Sequence, residues 1–391
     1  MDAALSCMRF LYLLLLVSMV SGPAVLRAQT LPPVPLAEPA SAPKAKGDKP
    51  SFIPFPIVFS QPETGLGYGL AVLPVFRLGP DSATRKSSAR LIGWRTQKKQ
   101  SLIQLTHSIF TPGERFFIAG EASFYNQFPI NYYGFGPETR LADKSVIQYK
   151  VFIFQERALK RLAPGLFAGL QYRLTDLRDV QVNEGIGNDP LNSRLFDRPA
   201  REYQQSTRVS GFGPALLYDA RDNVLSTYRG SYLEVSALLN GSALGSDYRF
   251  SRYLLDARRF QPLTSDNKTI LGVQLIGQFQ SGEVPFRELA NLGGSNLLRG
   301  YYEGRYRDRQ LLAAQAEVRR VLFGRFNGVL FVGLGQVGNT FRDFGKGGLK
   351  AAGGAGLRFR FNRRDRLNVR LDYGVERGGS SGVYFSIGEA F

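Results

Sequence analysis

Residues 367–377 read Leu-Asn-Val-Arg-Leu-Asp-Tyr-Gly-Val-Glu-Arg and alternate between apolar and polar side chains. The apolar side chains stand at every second position: Leu367, Val369, Leu371, Tyr373 and Val375. The positions between them hold polar side chains and one glycine: Asn368, Arg370, Asp372, Gly374 and Glu376. Successive side chains of a β-strand point to opposite faces, so this segment predicts a strand with one apolar and one polar face.

The same alternation recurs between residues 51 and 391. We count sixteen such segments: 55–60, 65–76, 87–97, 101–110, 115–128, 145–161, 166–179, 205–221, 231–240, 247–262, 269–281, 307–322, 327–338, 350–361, 367–377 and 381–391. A strand that crosses a bilayer at a tilt needs about 9–11 residues, which most of these segments provide. The chain is also rich in glycine and aromatic residues, with 43 Gly, 29 Phe and 18 Tyr. The sequence therefore predicts an all-β fold of sixteen antiparallel strands.

Alternation alone does not distinguish a soluble β-sandwich from a membrane barrel, because both have one apolar face. The connections favour the barrel. Those after even-numbered strands are mostly short, such as 163–165 and 323–326, whereas several after odd-numbered strands are long, such as 180–204 and 282–306. Outer-membrane barrels combine short periplasmic turns, longer external loops and an even strand count. The prediction is a transmembrane antiparallel β-barrel over 51–391.

The first 28 residues predict a secretory signal peptide, residues 1–28. Arg9 precedes an apolar run over 10–20, and small residues up to Ala28 offer a cleavage site. The proline-rich segment 29–50 that follows predicts a flexible periplasmic linker. No run of about 18 apolar residues occurs, so no transmembrane helix is predicted. The only cysteine, Cys7, lies in the predicted signal peptide, so no disulfide is expected in the mature chain.

The chain carries 50 Lys and Arg against 32 Asp and Glu, and its cations are scattered through strands and turns. Arginines paired with acids inside a barrel, together with cations at the membrane rim, explain this surplus better than a nucleic-acid surface does. The single histidine, His107, falls on the apolar face of its strand beside Leu105 and Ile109. No nucleophile–base pair and no metal-ligand spacing appears, so the sequence predicts no enzyme, no metal site and no cofactor.

Residues 291–308 read Asn-Leu-Gly-Gly-Ser-Asn-Leu-Leu-Arg-Gly-Tyr-Tyr-Glu-Gly-Arg-Tyr-Arg-Asp and connect the eleventh and twelfth predicted strands. The four residues Leu298, Arg299, Gly300 and Tyr301 form a motif that resembles the [VI]-R-G-[FY] signature of the BamA/TamA superfamily, the bacterial surface-antigen barrels. Arg-Gly-Tyr alone suits any turn. Its position in the sixth external loop of a sixteen-strand count makes the resemblance specific.

The last segment, 383–391, reads Val-Tyr-Phe-Ser-Ile-Gly-Glu-Ala-Phe and resembles the final strand of that family. The resemblance implies that Phe385, Ile387 and Phe391 form the signal by which assembly machinery recognises the last strand. Two features depart from the family. A strand that commonly reads F-x-D-x-G has Gly333 where the acid usually stands, and the sequence predicts no periplasmic POTRA domain before the barrel.

A loop arginine that enters the interior of a barrel needs a partner of opposite charge. If 282–306 folds inward, Arg299 enters a crowded space where a guanidinium needs a carboxylate partner. Glu317 and Asp372 lie on the polar faces of nearby predicted strands, and we expect one or both to hold it. The alternative is an exposed loop arginine that pairs with neither.

The predicted junction of the first and last strands contains residues that pair poorly. Pro54 and Pro56 lack an N–H, and Gly388 weakens the last strand. We therefore predict a laterally weak seam that opens to lipid and accepts another strand. The alternative is that Pro54 precedes the strand and that closure is ordinary.

The family resemblance implies a function in protein insertion or translocation in the outer membrane of a Gram-negative bacterium, reached by the general secretory route. It implies client outer-membrane proteins and outer-membrane lipids, including lipopolysaccharide, as partners. Two other functions stay open. One is a passive pore for anions or small solutes with 282–306 as its constriction, and the other is a closed barrel that serves as anchor, receptor or partner subunit.

Overall fold

The computed structural model describes residues 50–61, 65–81, 83–183, 206–363 and 365–391. The predicted signal peptide, 1–28, lies outside these residues, and so does the predicted linker, 29–50, apart from Pro50. Regular structure in the described part consists of β-strands and short 3₁₀ helices. None of these helices is long and apolar enough to cross a membrane. The all-β prediction is confirmed.

The strands of the described residues are β1 Ser51–Gln61, β2 Gly65–Phe76, β3 Ser87–Thr96, β4 Ser101–Phe110, β5 Phe116–Tyr132, β6 Ser145–Ala163, β7 Leu166–Asn183, β8 Thr207–Asp219, β9 Gly230–Asn240, β10 Phe250–Pro262, β11 Thr269–Gly282, β12 Ala290–Leu292, β13 Tyr306–Asp308, β14 Gln310–Phe323, β15 Phe326–Gly338, β16 Lys350–Asn362, β17 Leu367–Glu376 and β18 Ser381–Ile387. The 3₁₀ helices are Pro112–Glu114, Leu141–Asp143, Ser242–Leu244, Phe286–Glu288 and Phe341–Asp343. Within this part of the chain, β1–β11 and β14–β18 form one 16-stranded sheet in chain order, and β12 pairs with β13.

The two faces of the large sheet differ in chemistry. On β15, Leu330 and Val332 are 66% and 56% exposed, whereas Val329 and Phe331 are 3% and 7% exposed. We call the face that contacts residues 283–309 the inner face and the opposite one the outer face. An outer face of exposed apolar side chains is what contact with acyl chains requires.

The predicted twelfth strand begins three residues too early. The alternation predicts a start at residue 307, whereas β14 begins at Gln310. Residues Tyr306–Asp308 pair instead with Ala290–Leu292 as β13 and β12. Residues 306–308 continue the alternating pattern of β14, so the sequence assigns part of them to that strand. In the structure the backbone bends between β13 and β14.

The predicted last strand, 381–391, is too long. β18 ends at Ile387, because Gly388 adopts a φ of +92° and turns the chain away from the sheet. The first strand is longer than the predicted segment 55–60. It begins at Ser51, so the prolines that follow lie inside β1 and not before it.

Candidate functional site

The connection between β11 and β14, residues 283–309, is a folded element on the inner face. The pairing of β12 with β13 holds its two ends together. Leu292, Leu298 and Tyr301 are buried in one apolar cluster with Leu311 of β14 and Val337 of β15. The connection therefore packs against the wall of the sheet through its own side chains.

Gly300 allows the loop backbone to touch β17. Its φ is +126°, and a Cβ at this position would lie 2.7 Å from the carbonyl carbon of Val375. Only glycine satisfies both the left-handed conformation and the close approach. This contact fixes the residue before it, Arg299, directly above the inner faces of β14 and β17.

Arg299 lies between the two acids named from the sequence. Its Nη1 is 2.6 Å from Asp372 Oδ2, and its Nη2 forms an ion pair with Glu317 Oε1. The guanidinium also stacks on the Phe331 ring, 3.6 Å from the ring centroid. Arg299 is 1% exposed, so these contacts replace water around a fully buried charge.

The same two carboxylates continue into a second layer of arginines. Glu317 Oε2 accepts a hydrogen bond from Arg319 Nε at 2.9 Å, and Asp372 pairs with Arg358. Both of these arginines face Glu389: Arg358 Nε is 2.9 Å and Arg319 Nε 3.8 Å from Glu389 Oε2. We call this closed circuit the charge ring, with the members Arg299, Glu317, Arg319, Glu389, Arg358 and Asp372.

Glu389 enters the charge ring because Gly388 turns residues 388–391 inward. Asn368 Nδ2 also donates to Glu389 Oε1 at 2.5 Å. Burial alone would raise the pKa of Glu389, but the charges of Arg319 and Arg358 outweigh burial and lower this pKa to about 2. The ring thus holds the end of the chain beside the loop arginine.

A tyrosine on β18 holds the loop backbone. Gly300 N–H donates to Tyr384 Oη at 3.0 Å, and Tyr384 O–H donates to the Tyr301 carbonyl at 3.0 Å. Tyr384 was missed in the sequence, although its even position puts it on the inner face beside the exposed Phe385. The loop is therefore tied both to β14 and β17, through Arg299, and to the last strand.

Gly333, where the family usually has an acid, leaves room for the loop. A Cβ on Gly333 would lie 3.2 Å from Leu298 Cδ1 and 3.3 Å from Gln315 Cβ. Leu298 therefore occupies the space that an aspartate side chain would need. In this chain Glu317 and Asp372 provide the carboxylates, and an apolar contact replaces the third acid.

The seam residues named from the sequence lie at the two edges of the sheet. Pro54 and Pro56 stand opposite Val72 and Leu70 in the register of β1 with β2, and both prolines are exposed. Gly388 lies just beyond β18 and donates its N–H to the Asn368 carbonyl at 2.8 Å. Gly388 is thus a turn residue and not a member of the last strand.

Side chains of β1 reach the other end of the sheet. The ring centroids of Phe55 and Phe361 are 4.7 Å apart, and Ser51 Oγ donates to Asp365 Oδ2 at 3.1 Å. Lys86 Nζ, from the connection after β2, is 2.7 Å from Asp365 Oδ1. These contacts bring β1 beside the β16–β17 turn.

The three residues of the predicted assembly signal lie in different environments. Phe385 is 58% exposed on the outer face, and Ile387 is half-buried. Phe391 is buried on the inner side, where its ring centroid is 5.9 Å from that of Phe260 and 5.3 Å from the Arg319 guanidinium. The turn at Gly388 separates them.

The chain matches the family model of the Omp85 superfamily domain over residues 104–391. It belongs to the Omp85 superfamily. The family predicted from the loop motif is thereby confirmed, and membership places this Omp85 protein in the outer membrane of a Gram-negative bacterium. No curated relative matches the chain.

Solved structures share the fold of this Omp85 chain. BamA from Haemophilus ducreyi lacking POTRA domains 1-3 aligns with a TM-score of 0.54 at 16% identity, covering 86% of this chain and 70% of that one. CdiB from Acinetobacter baumannii aligns with a TM-score of 0.55 at 12% identity, covering 86% and 59%. CdiB from Escherichia coli gives 0.53 at 9% identity, covering 86% and 62%. The chain thus spans about three fifths of each CdiB chain.

The described part of this Omp85 chain contains no group of three or more His, Cys, Asp or Glu residues that could hold a metal ion. Many of its buried charges pair with one another. Besides the charge ring, Arg252 Nη2 lies 2.6 Å from Glu288 Oε2, and Arg157 Nη1 lies 2.8 Å from Glu234 Oε2. Chemically, the arrangement fixes a loop and the end of the chain in one place.

Proposed function

We propose that this Omp85 protein inserts or translocates other proteins through a seam between β1 and β18. In this proposal the sheet formed by residues 51–391 closes into a barrel, and 283–309 plugs its lumen through the motif Leu298–Tyr301. The observation that carries the proposal is the unequal anchoring of the two edge strands. β18 is held by the loop and lies next to the charge ring, whereas β1 pairs along its backbone with β2 alone among the described residues.

The prolines of β1 support a weak seam. In an antiparallel strand, residues of the same parity direct their backbone groups to the same neighbour. Pro54 and Pro56 share a parity, and β1 keeps its full register with β2. Because proline cannot donate to a ladder, both nitrogens are expected on the free edge. A last strand that approached this edge would find no donor at either position.

The side-chain contacts of β1 support closure at one end of the barrel. Phe55 packs near Phe361, and Asp365 accepts a hydrogen bond from Ser51 and forms an ion pair with Lys86. Among the described residues, these contacts bridge the first and last parts of the sheet through side chains and not through backbone pairing. A junction held by side chains opens at lower cost than a ladder of backbone hydrogen bonds, and an open edge recruits another strand by β-augmentation.

The partners follow from this activity. We propose that client outer-membrane proteins present a strand to the open edge of β1. The outer face contacts outer-membrane lipids, including lipopolysaccharide, and assembly machinery recognises the last strand through Phe385, Ile387 and Phe391. Residues 1–28 direct export, and 29–50 form the periplasmic linker next to the barrel.

Reconstitution tests the proposal. The full protein is placed in liposomes, a urea-unfolded outer-membrane barrel is added, and its folding is followed by its resistance to unfolding in cold SDS. We expect faster folding than in liposomes without the protein, and an equal rate would contradict insertion. Bilayer conductance tests the plug: near silence with rare openings is expected, whereas a large steady anion current would indicate the passive pore.

A further inference from the structure

An ionisable pair stands on the outer face of the sheet. His107 Nε2 on β4 lies 3.1 Å from Glu156 Oε1 on β6. The strand between them contributes Gly120, which pairs in register with His107 on one side and with Glu156 on the other. A Cβ on Gly120 would overlap Glu156 Oε2, so the glycine is what lets the carboxylate reach across β5.

Apart from Tyr172 on β7, which stands opposite Glu156 in the register, the neighbours of this pair on the outer face are apolar. On β4 the neighbouring outer-face residues are Leu105 and Ile109, and on β6 they are Phe154 and Ala158. Leu105 is 42% exposed, which shows that this face is open. Since the chain is an outer-membrane protein, its apolar outer face is expected to contact lipid, where ionisable side chains are costly and usually mark a contact or a functional site.

The pair has hydrogen-bonding capacity to spare. Within the described part of the chain, its one polar contact joins His107 Nε2 to Glu156 Oε1. Glu156 Oε2 and His107 Nδ1 thus remain for a partner. A carboxyl group can accept at both oxygens, and the imidazole can carry a proton on Nδ1 while Nε2 shares a hydrogen bond with Glu156. The site therefore offers one acceptor and one donor, side by side, to whatever covers it.

We propose that a second copy of this chain docks here, across a two-fold axis that lies in the interface and runs parallel to the membrane normal. A two-fold interface brings residue i against j and j against i, so each His107 Nδ1 can donate to the partner copy's Glu156 Oε2. A surface that carries an acid beside a base is complementary to its own copy in this arrangement, whereas a surface with only an acid or only a base is not. Association would leave no ionisable group of the pair facing lipid alone.

Small outer-face residues around the pair permit close approach. Ala89 and Gly93 on β3, Ala122 on β5 and Ala158 on β6 lie in the neighbouring rows of the register. A Cβ on Gly93 would meet no atom within 4 Å, so the space above this glycine is open. Small residues combined with hydrogen-bonding side chains are the usual means of association in lipid, where apolar burial supplies little drive.

Cysteine cross-linking in native outer membranes tests the dimer. A Cys7→Ser background carries Ala122→Cys, close to the proposed axis, and a matched control carries Leu330→Cys on the outer face of β15. We expect mild oxidation to give several-fold more disulfide-linked dimer with Ala122→Cys than with Leu330→Cys. Equal yields, or an adduct of Ala122→Cys with a different protein, would overturn the proposal.

Two variants separate docking from folding. His107→Leu combined with Glu156→Leu removes both the donor and the acceptor, and Ala158→Trp adds bulk while leaving the pair intact. Each is expected to lower the Ala122→Cys dimer several-fold while the barrel still resists unfolding in cold SDS. A dimer that persists in the folded Ala158→Trp variant would contradict this interface. The inference depends on the outer face contacting lipid and not on the insertion activity.

Discussion

The two ends of the sheet are held by different forces. Beside β18, three arginines and three carboxylates alternate in the charge ring, and Tyr384 adds two hydrogen bonds to the loop. At the opposite edge, β1 is bonded along its backbone to β2 and reaches the other end of the sheet through side chains. The difference supports the proposal that the loop and the last strand form one rigid unit and that β1 moves.

Of the variants considered, Arg299→Ala is expected to lower the stability of the unit around β18 the most. It leaves Glu317 and Asp372 buried without the charge that joins them, and breaking a buried pair in this way costs about 3–5 kcal/mol. Unfolding in urea and detergent measures the loss. Arg299→Lys keeps the charge but loses the planar guanidinium that contacts two carboxylates at once. Its unfolding midpoint should therefore fall between those of the wild type and Arg299→Ala. An unchanged midpoint for Arg299→Ala would remove the ring as the source of rigidity.

Glu389→Gln tests whether the end of the chain belongs to the rigid unit. The variant loses charged contacts with Arg358 and Arg319, which corresponds to about 1.5–3 kcal/mol. Because the folded pKa of Glu389 lies near 2, below its ordinary value, its contribution is present above about pH 4.5 and is lost as the pH falls towards 2. The stability difference between wild type and variant should therefore shrink in acid. A difference independent of pH would contradict an ionised Glu389.

Gly333→Asp examines the departure from the family pattern. The new side chain meets Leu298, and overpacking of this kind costs about 1–3 kcal/mol. If the new side chain displaces the loop, the loop becomes more sensitive to added protease, and the rate of cleavage measures this change. Combining Gly333→Asp with Leu298→Ala makes room and should restore protection. If the double variant remains as sensitive as the single one, the steric explanation is wrong.

Tyr384→Phe gives the smallest expected effect. It removes the hydroxyl that accepts from Gly300 and donates to Tyr301, for about 1 kcal/mol of stability. Tyr373→Phe is the matched control, because Tyr373 is exposed on the outer face of the neighbouring strand. Equal midpoints for the two variants would show that β18 is not tied to the loop by this hydroxyl.

Much of the fold could be predicted because contact with lipid imposes a strict pattern. Segment 367–377 alternates over its whole length, and β17 spans Leu367–Glu376. The same alternation placed Glu317 and Asp372 on the inner face, and the geometry brings both to Arg299. Whether a residue stands at an odd or an even position in its strand decides which face it lies on, so this assignment needs no knowledge of the tertiary structure.

The remaining features of the site depend on how distant residues meet. Gly388 reads as part of an alternating strand, and only its positive φ turns Glu389 and Phe391 inward. Arg319 and Arg358 are ordinary inner-face arginines in the sequence. Their common partner becomes visible only when residues 388–391 are placed between them, which local patterns do not encode.

Locking the seam is the most direct test of the central claim. Ser51→Cys and Asp365→Cys replace two side chains in contact across the junction, and Leu271→Cys with Val318→Cys forms the control across the continuous ladder of β11 and β14. The proteins are oxidised, placed in liposomes and assayed for folding of the added barrel. We predict that oxidation of the seam pair abolishes the acceleration, that reduction restores it, and that the control pair keeps it throughout. Full activity of the oxidised seam pair would contradict a moving β1.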